Sequence, residues 1–581
     1  MKYPFLSEIP TTREMTSVFG GYNHNLRISD SEFYDMTNLT SDDYPILSPR
    51  AQRGVYASPQ KPQGMIAKDA LCYVDGADFV INDEKIEMGL STAENDCPKT
   101  LVSMGSYVII MPDRMWINTI DREFGNIDAT VVATEGTTFV NCQLDGTDYS
   151  DDDITISSKA PKNPNDLDYW IDTSNIPHIL KQYSVTSATW VAVATTYVKI
   201  SAKGIGIPFE SGDSVSLSGS LPVPLHSEGR RIIQACEDDY IVIVGLLDKV
   251  YNSTYVIVTR QMPAVDFIIE SGNRLWGCRY GNKYVGGKFV NEIFASKLGD
   301  FKNWNCFEGI STDSYAVSVG TDGPFTGAVD HLGYPIFFKE NCMHKIYGNS
   351  PSNYQVQTTA CRGVQKGSEK SLAIVNEGLY YKTRTSVCYY DGSLPVEISS
   401  AFGDAVYHNA VAGAVGNKYY ISMADDSNKY HLFVYDTQKR MWHREDDTQA
   451  VEFCNHHGEL YYIDYADKNI KTVKGGGTLD ASKIVWEAVT GVMGTDSPDK
   501  KYISRIDVRI KLALGSRVTF FVQYDSSNAW DKLYSMEGTT LQTFAVPIRP
   551  HRCDHLRLKI VGEGEAKIYS ICKTIEQGSD L

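Results

Sequence analysis

One short element recurs along this chain, and it limits the folds available more than any other feature. An apolar stretch runs into a turn residue, one or two residues follow, and an apolar or aromatic cluster comes next. Copies occur at Gly105 before Tyr107-Val108-Ile109, Gly272 before Leu275-Trp276, and Gly333 before Ile336-Phe337-Phe338. Others occur at Gly378 before Leu379-Tyr380-Tyr381, Gly416 before Tyr419-Tyr420-Ile421, and Gly458 before Leu460-Tyr461-Tyr462, with a degenerate copy at Asp69-Ala70 before Leu71-Cys72-Tyr73. Glycine supplies the positive φ of a tight turn and the cluster supplies the returning strand, so each copy reads as a hairpin. Further turn signals at Asp83, Asp113, Asp391 and Asp436 extend the unit to three or four antiparallel strands. From Gly272 onward the glycines stand 61, 45, 38 and 42 residues apart, close to the roughly 40–50 residues of a propeller blade.

The predicted fold is therefore all-β: a β-propeller of about seven blades with an inserted small β domain and a C-terminal β-sandwich. Gly105 and Gly272 are 167 residues apart, and removing one blade of about 42 leaves roughly 125 residues for an insert. It is placed at 134–260, between blades 1–2 (54–133) and blades 3–7 (261–475). The insert opens on an acidic loop (Asp148, Asp151, Asp152, Asp153, then Pro161 and Pro164) and closes on Tyr240-Ile241-Val242-Ile243-Val244. Between them Tyr197-Val198-Lys199-Ile200 and Ser214-Val215-Ser216-Leu217-Ser218 alternate at period two, the pattern of half-buried strands. Beyond Gly475-Gly476-Gly477, Ile506-Asp507-Val508-Arg509-Ile510-Lys511-Leu512 and Leu556-Arg557-Leu558-Lys559-Ile560 set apolar residues on one face and charges on the other, which predicts a half-solvated sandwich over 476–581. Residues 1–53 read as an extended arm that either lies along the ring or pairs with the last blade.

Composition narrows the function classes. Aromatic residues make up 11% of the 581, 36 of them tyrosine, which excludes a disordered chain. The net charge of −17 makes the average surface a poor candidate for wrapping duplex DNA. Residues 500–581 carry 13 basic and 9 acidic side chains, which leaves an excess of 21 negative charges on 1–499. Glu8 interrupts any hydrophobic signal core, and the longest apolar run, Tyr240 to Leu247, is far short of the about 20 residues of a membrane helix. The 12 cysteines form no CxxC pair, so reduced thilos in a protein folded in a cytoplasm are expected.

No Walker loop, GxSxG elbow, HExxH or EF-hand loop occurs. His551, Cys553 and His555 lie at i, i+2 and i+4, which on a strand puts three ligand types on one face, but without an evident fourth ligand the packing of Cys553 is the preferred reading. Cys454, His456 and His457 are read in the same way. Asp148 and Asp151–Asp153 suit Ca²⁺ by oxygen content but lack the alternation and glycine of an EF-hand, so a solvated loop is preferred. Ser296-Lys297-Leu298-Gly299-Asp300 to Trp304 compares poorly with a sialidase Asp-box in residue order and copy number. No catalytic, cofactor-binding or metal-binding residue is assigned, and the expectation is a chain that is not an enzyme and needs no cofactor.

Two stretches carry a family resemblance. Asp35-Met36-Thr37-Asn38-Leu39 through Tyr44-Pro45-Ile46-Leu47-Ser48-Pro49-Arg50 resembles the N-terminal arm of tailed-bacteriophage virion stabilisation, tail-hub or nozzle proteins. Asn273-Arg274-Leu275-Trp276 with Asn291-Glu292-Ile293-Phe294-Ala295-Ser296-Lys297-Leu298-Gly299-Asp300 and Trp304 is similar to a central blade of the same group. The resemblance implies a structural virion protein assembled in the bacterial host cytoplasm. It implies a homohexameric ring below the portal and adaptor, through which genomic DNA passes without tight binding. The alternative is a tail-tip propeller that binds a receptor or degrades a glycan. Subunit contacts are expected from the arm and from Arg505, Arg509, Arg552 and Arg557, and removal of the first ~50 residues is expected to leave a folded propeller.

Overall fold

Five of the recurring turns hold glycine at positive φ: Gly105 (56°), Gly272 (61°), Gly333 (76°), Gly416 (57°) and Gly458 (76°). Each joins the innermost strand of an antiparallel meander to the second. The copy at Gly378 differs. Its left-handed residue is Asn376 (φ 55°), whereas Gly378 opens the strand Gly378–Lys382, where a Cβ would fall 2.2 Å from the Tyr389 ring. A computed structural model of the chain describes residues 11–92, 98–134, 136–149, 154–226, 229–285, 288–304, 313–479, 482–495, 500–549 and 551–577, with the side chains of 282–289 excepted.

Within it seven blades occupy 62–87, 100–126, 267–319, 327–360, 373–397, 407–444 and 450–472. Their inner strands pack each beside the next and the last beside the first, with the one-turn helix Glu369–Ser371 mediating between the fourth and fifth. The circle is closed from the N-terminal side: Gly54–Ala57 is the fourth strand of the last blade, with Gly54 opposite Thr472 and Ala57 opposite Ile470. Residues 54–57, assigned from the sequence to the first blade, thus belong to the seventh. Among the described residues no helix is long and apolar enough to cross a membrane.

The insert leaves the ring between the second and third blades. Its eight-stranded sheet starts at Ala129–Ala133, five residues before the expected boundary, because that strand pairs with Val256–Arg260 and brings the two ends of the insert together. Phe139, Val198, Ile200, Ile233, Ile241 and Val258 fill its core. At its root the Arg260 guanidinium, 5% exposed, pairs with Asp213 and donates to the carbonyls of Ile127 (3.1 Å) and Pro208 (3.0 Å). A separate four-stranded sheet spans 154–192.

The sandwich is organised by one 24-residue strand, Lys501–Tyr524. Its first half pairs with Ala566–Gln577 and its second half with Leu556–Glu563, while Asp531–Val546 follows both halves on the other edge. The register breaks between Leu512 and Arg517, around Gly515 at φ 77°. Ile506, Val508, Ile510, Leu512, Val518, Phe520 and Val522 are buried while Arg509 and Lys511 face solvent, as strand alternation requires.

The arm is corrected by the structure. Thr11–Thr16 adds to Ala566–Gln577 and Phe33–Thr37 adds to Val485–Thr490, so the arm supplies two strands of the sandwich. Phe19, Tyr22, Phe33, Met36, Leu39 and Leu47 are buried in one cluster with Phe402, Phe433 and Trp442 of the sixth blade and Ile506, Phe520 and Ile560 of the sandwich. These side chains do bury a core, and it lies within their own chain, so they are not available to neighbouring subunits. Arg557 lies over the Tyr34 ring at 4.6 Å, whereas Arg505 and Arg509 remain exposed.

Removing residues 1–53 is accordingly expected to unfold the sandwich and open the seventh blade, giving insoluble protein. The milder Phe33→Ala is expected to cost about 3–5 kcal/mol in denaturant unfolding, the usual penalty for a cavity the size of a phenyl ring. Acid should act through two buried histidines. Burial, with Lys418 second, depresses His443 to about 3, and burial, with Lys339 second, depresses His344 to about 4. The unfolded chain takes up protons below about pH 6.5 that the folded chain refuses, so stability falls as pH drops through that value, by about 2 kcal/mol per histidine at pH ~5. Thermal unfolding as a function of pH checks this, with His443→Gln and His344→Gln each expected to flatten the slope.

Candidate functional site

Each blade runs from its inner strand outward, so all the inner strands begin on one face of the ring, where the insert also departs. On this face, between the first, sixth and seventh blades, a cavity of about 390 Å³ is lined by Gln63, Asn409, Val411, Tyr430, Val451 and Tyr465 among others. Beside Val451 on the inner strand Ala450–His456 stands Glu452, whose carboxylate accepts from Lys370 Nζ at 3.4 Å and from the backbone N–H of Met65. Lys370 also donates to the Val451 carbonyl at 3.3 Å.

With the Met65 N–H, this ion pair joins the connector between the fourth and fifth blades to the seventh and first, and local chemistry explains how Lys370 arrives there. Lys370 sits in the one-turn helix Glu369–Ser371, which side chains hold at both ends. The Ser368 hydroxyl accepts the Ala410 N–H (3.0 Å), the Ser371 hydroxyl accepts the Lys382 N–H (3.0 Å), and Tyr419 donates to the Ser371 carbonyl (2.8 Å). Burial raises the Glu452 carboxyl above the ordinary glutamate range, and Lys370 offsets this in part. A carboxyl whose pKa burial raises shares one feature with general acids, although neither Glu452 nor Lys370 lines the cavity itself. The other acidic side chains of the described inner strands are Glu270, which accepts the Asn273 N–H (2.7 Å), and Asp330, which accepts from the Ser271 hydroxyl (2.7 Å). Both are engaged near the glycine turns, on the opposite face of the ring.

Residues singled out in the sequence are placed as follows. Cys553 is buried and donates to the Lys501 carbonyl (3.6 Å), His551 packs on the Tyr524 ring (4.7 Å between centroids), and His555 contacts the Ser526 hydroxyl (2.7 Å) and Asp554 (3.0 Å). These three side chains point to different partners, because 551–555 forms a single bridge to Lys501 instead of a strand. Burial pushes the thiols of Cys553 and Cys454 up to about 11 and about 12. Cys454 packs against the core formed by the first and seventh blades, and the His456 and His457 rings stand 4.0 Å apart at their turn. Among the described residues no three His, Cys, Asp or Glu side chains form a metal-holding group.

Asp148 pairs with Lys199 at 2.6 Å, and Asp151–Asp153 lie outside the described residues. In the stretch from Ser296 to Trp304, Ser296 Oγ accepts the Leu275 N–H (3.0 Å), Trp304 donates to the Phe301 carbonyl (2.8 Å), and Asn303 donates across to the Gly212 carbonyl of the insert (2.6 Å). Lys302 adds an ion pair to Glu210 at 3.0 Å. The Lys370–Glu452 pair went unnoticed in the sequence. Its one local signal was a carboxylate within the apolar run Ala450-Val451-Glu452-Phe453-Cys454, and nothing in the sequence connects it with a lysine 82 residues away.

No family model and no curated protein matches this chain. Solved structures that match include an exo-β-1,3-galactanase from Phanerochaete chrysosporium, at 8% identity and a TM-score of 0.21 over 53% of this chain and 94% of that one. Another is a GH43 glycoside hydrolase, at 10% identity and a TM-score of 0.20 over 53% and 96%. PorZ, a surface component of the type-IX secretion system of Porphyromonas gingivalis, matches at 9% identity and a TM-score of 0.23 over 90% and 82%. Glycoside hydrolases recur among these structures, and for that reason the expectation of a chain that is not an enzyme is withdrawn. Identities and TM-scores this low carry no assignment of substrate or activity.

Proposed function

We propose that this chain is a component of the tail of a tailed bacteriophage, a part of the hub or nozzle through which DNA is retained and conducted. The observation that carries the proposal is where the two family-like stretches fall. Residues 35–50 bind the sandwich to the sixth blade, through the strand Phe33–Thr37 and the buried Met36, Leu39 and Leu47. Residues 291–304 bind the insert to the third blade, through Lys302 and Asn303. Both are joints that fix one part of the molecule relative to another, which suits a protein whose task is to hold shape within a larger particle. The acidic excess over residues 1–499 supports a lumen past which duplex DNA slides.

Imaging of phage particles at a resolution that shows domain shape tests the proposal. Propeller-and-sandwich density on the tail axis is the expected result, and density on a peripheral fibre would refute it. The purified chain is also expected not to shift duplex DNA in a gel at physiological salt.

A second reading, a propeller acting on a glycan, is favoured by the buried Lys370–Glu452 pair, which adjoins the cavity through Val451. Glycoside hydrolysis needs a proton donor with a raised pKa, and Glu452 has the environment of one. Reducing-end release from bacterial surface polysaccharide, measured for wild type and Glu452→Gln, decides it. Turnover that falls by about 10²-fold or more in the variant, the range of general-acid contributions, would support the second reading, and turnover unchanged by the variant would remove Glu452 from it.

A further inference from the structure

The sandwich completes its sheets by adding strands, and among the described residues one long strand keeps an unpaired outer edge. Two edges receive strands of the arm, Thr11–Thr16 on Ala566–Gln577 and Phe33–Thr37 on Val485–Thr490. On the other side of Lys501–Tyr524 lies the 16-residue strand Asp531–Val546, and among the described residues no strand pairs with its outer edge. Such an edge presents a row of unpaired N–H and C=O groups, which folded proteins shield with charges, prolines or short strands. Here the shielding is limited to Pro547, just beyond the strand, and is missing within its most exposed part. Residues 538–548 (Gly-Thr-Thr-Leu-Gln-Thr-Phe-Ala-Val-Pro-Ile) carry no charge, and Leu541 is 50% exposed.

The charges that bound this stretch identify what can cover it. Glu537, which also pairs with Arg517 of its own chain at 2.7 Å, precedes it and Arg549 follows it, both exposed. When two copies of the strand run antiparallel about a dyad at Thr543, Glu537 of each copy lies opposite Arg549 of the other, and Thr540–Val546 of both copies form an uncharged ladder with Thr543 facing itself. Opposite charges and Thr–Thr pairs across an antiparallel ladder are favourable, whereas a parallel arrangement would set like charges together. The same segment thus meets the main-chain and the charge requirements of its own edge. The exposed Arg509 and Lys511 stand one strand further from the dyad, where salt screens their repulsion.

We infer that two copies of this chain associate in solution edge to edge through 537–549, forming one continuous sheet across a two-fold axis. The inference does not rest on the tail assignment. Sedimentation of the full chain over a range of micromolar concentrations tests it. Wild type should sediment as a monomer–dimer equilibrium, and Thr543→Glu or Thr543→Lys, each setting like charges on the dyad, should weaken the dimer by about tenfold or more. Mixing the two variants should restore it, because Glu then faces Lys. Thr543 is exposed, and Glu at this position stands beside Arg509 of its own chain, so unfolding temperatures close to wild type are expected. A wild type that is monomeric throughout would overturn the inference and leave the edge to a strand of a different protein. A six-fold species, or variants that associate as wild type does, would overturn it equally.

Discussion

The molecule depends on the burial of six arm side chains between two domains that the chain makes more than 300 residues later. Tyr22 donates its N–H to the Trp442 carbonyl at 2.6 Å, and at Gly21 a Cβ would stand only 2.1 Å from that carbonyl oxygen, so the arm backbone lies flat against the outer strand of the sixth blade. Phe33, Met36 and Leu39 then fill the space between this strand and the sandwich. Neither surface is complete without the arm. The sandwich would lose two strands and the blade would expose Trp442 and Phe433. Hydrophobic burial, at roughly 25 cal/mol per Å² of apolar surface removed from water, makes a contact of this size a condition of folding.

Charge arranges the exit of the arm. Arg50, with its side chain 12% exposed, meets Asp446 at 3.2 Å and Glu445 at 3.6 Å; Arg53, 9% exposed, meets both at 2.7 Å and also donates to the Thr448 hydroxyl and to Tyr462. Buried ion pairs of this kind contribute little net stability over an apolar core, but loss of one member is costly because it strands the others. Their effect here is to set position. The chain leaves the cluster at Arg53 and enters the seventh blade at Gly54, so the same residues that tie down the arm also place the strand that closes the ring. Closure from the N-terminal side makes the propeller and the sandwich one folding problem.

The face of the ring where inner strands begin gathers the insert, the cavity and the Lys370–Glu452 pair, while the opposite face is made of short glycine turns. This asymmetry follows from the meander. Inner-to-second connections are turns of two or three residues with little room for variation, and connections between blades tolerate long insertions because loop closure costs grow slowly with length. A binding or structural role added to such a ring accumulates on the face with the long connections.

The strand-turn-strand units, the all-β class, the presence of an insert and the amphipathic sandwich strands were legible in the sequence because each is set by residues close together: glycine at a left-handed position, alternation at period two, a break in repeat spacing. Gly378 shows the limit even there, since its neighbour Asn376 took the turn and Gly378 was required for room beneath Tyr389. The destination of the arm was not legible. Its scattered Phe, Tyr and Leu look the same whether they bury against a second subunit or against their own chain, and only the assembled surfaces of the sixth blade and the sandwich decide between the two. The same holds for Lys370 and Glu452, and for the His551, Cys553 and His555 side chains that one-dimensional spacing aligned and the fold directed apart. Local backbone preference acts over a few residues and is written in order along the chain, whereas the pairing of distant surfaces is chosen by shape and burial that exist only once the ring has closed.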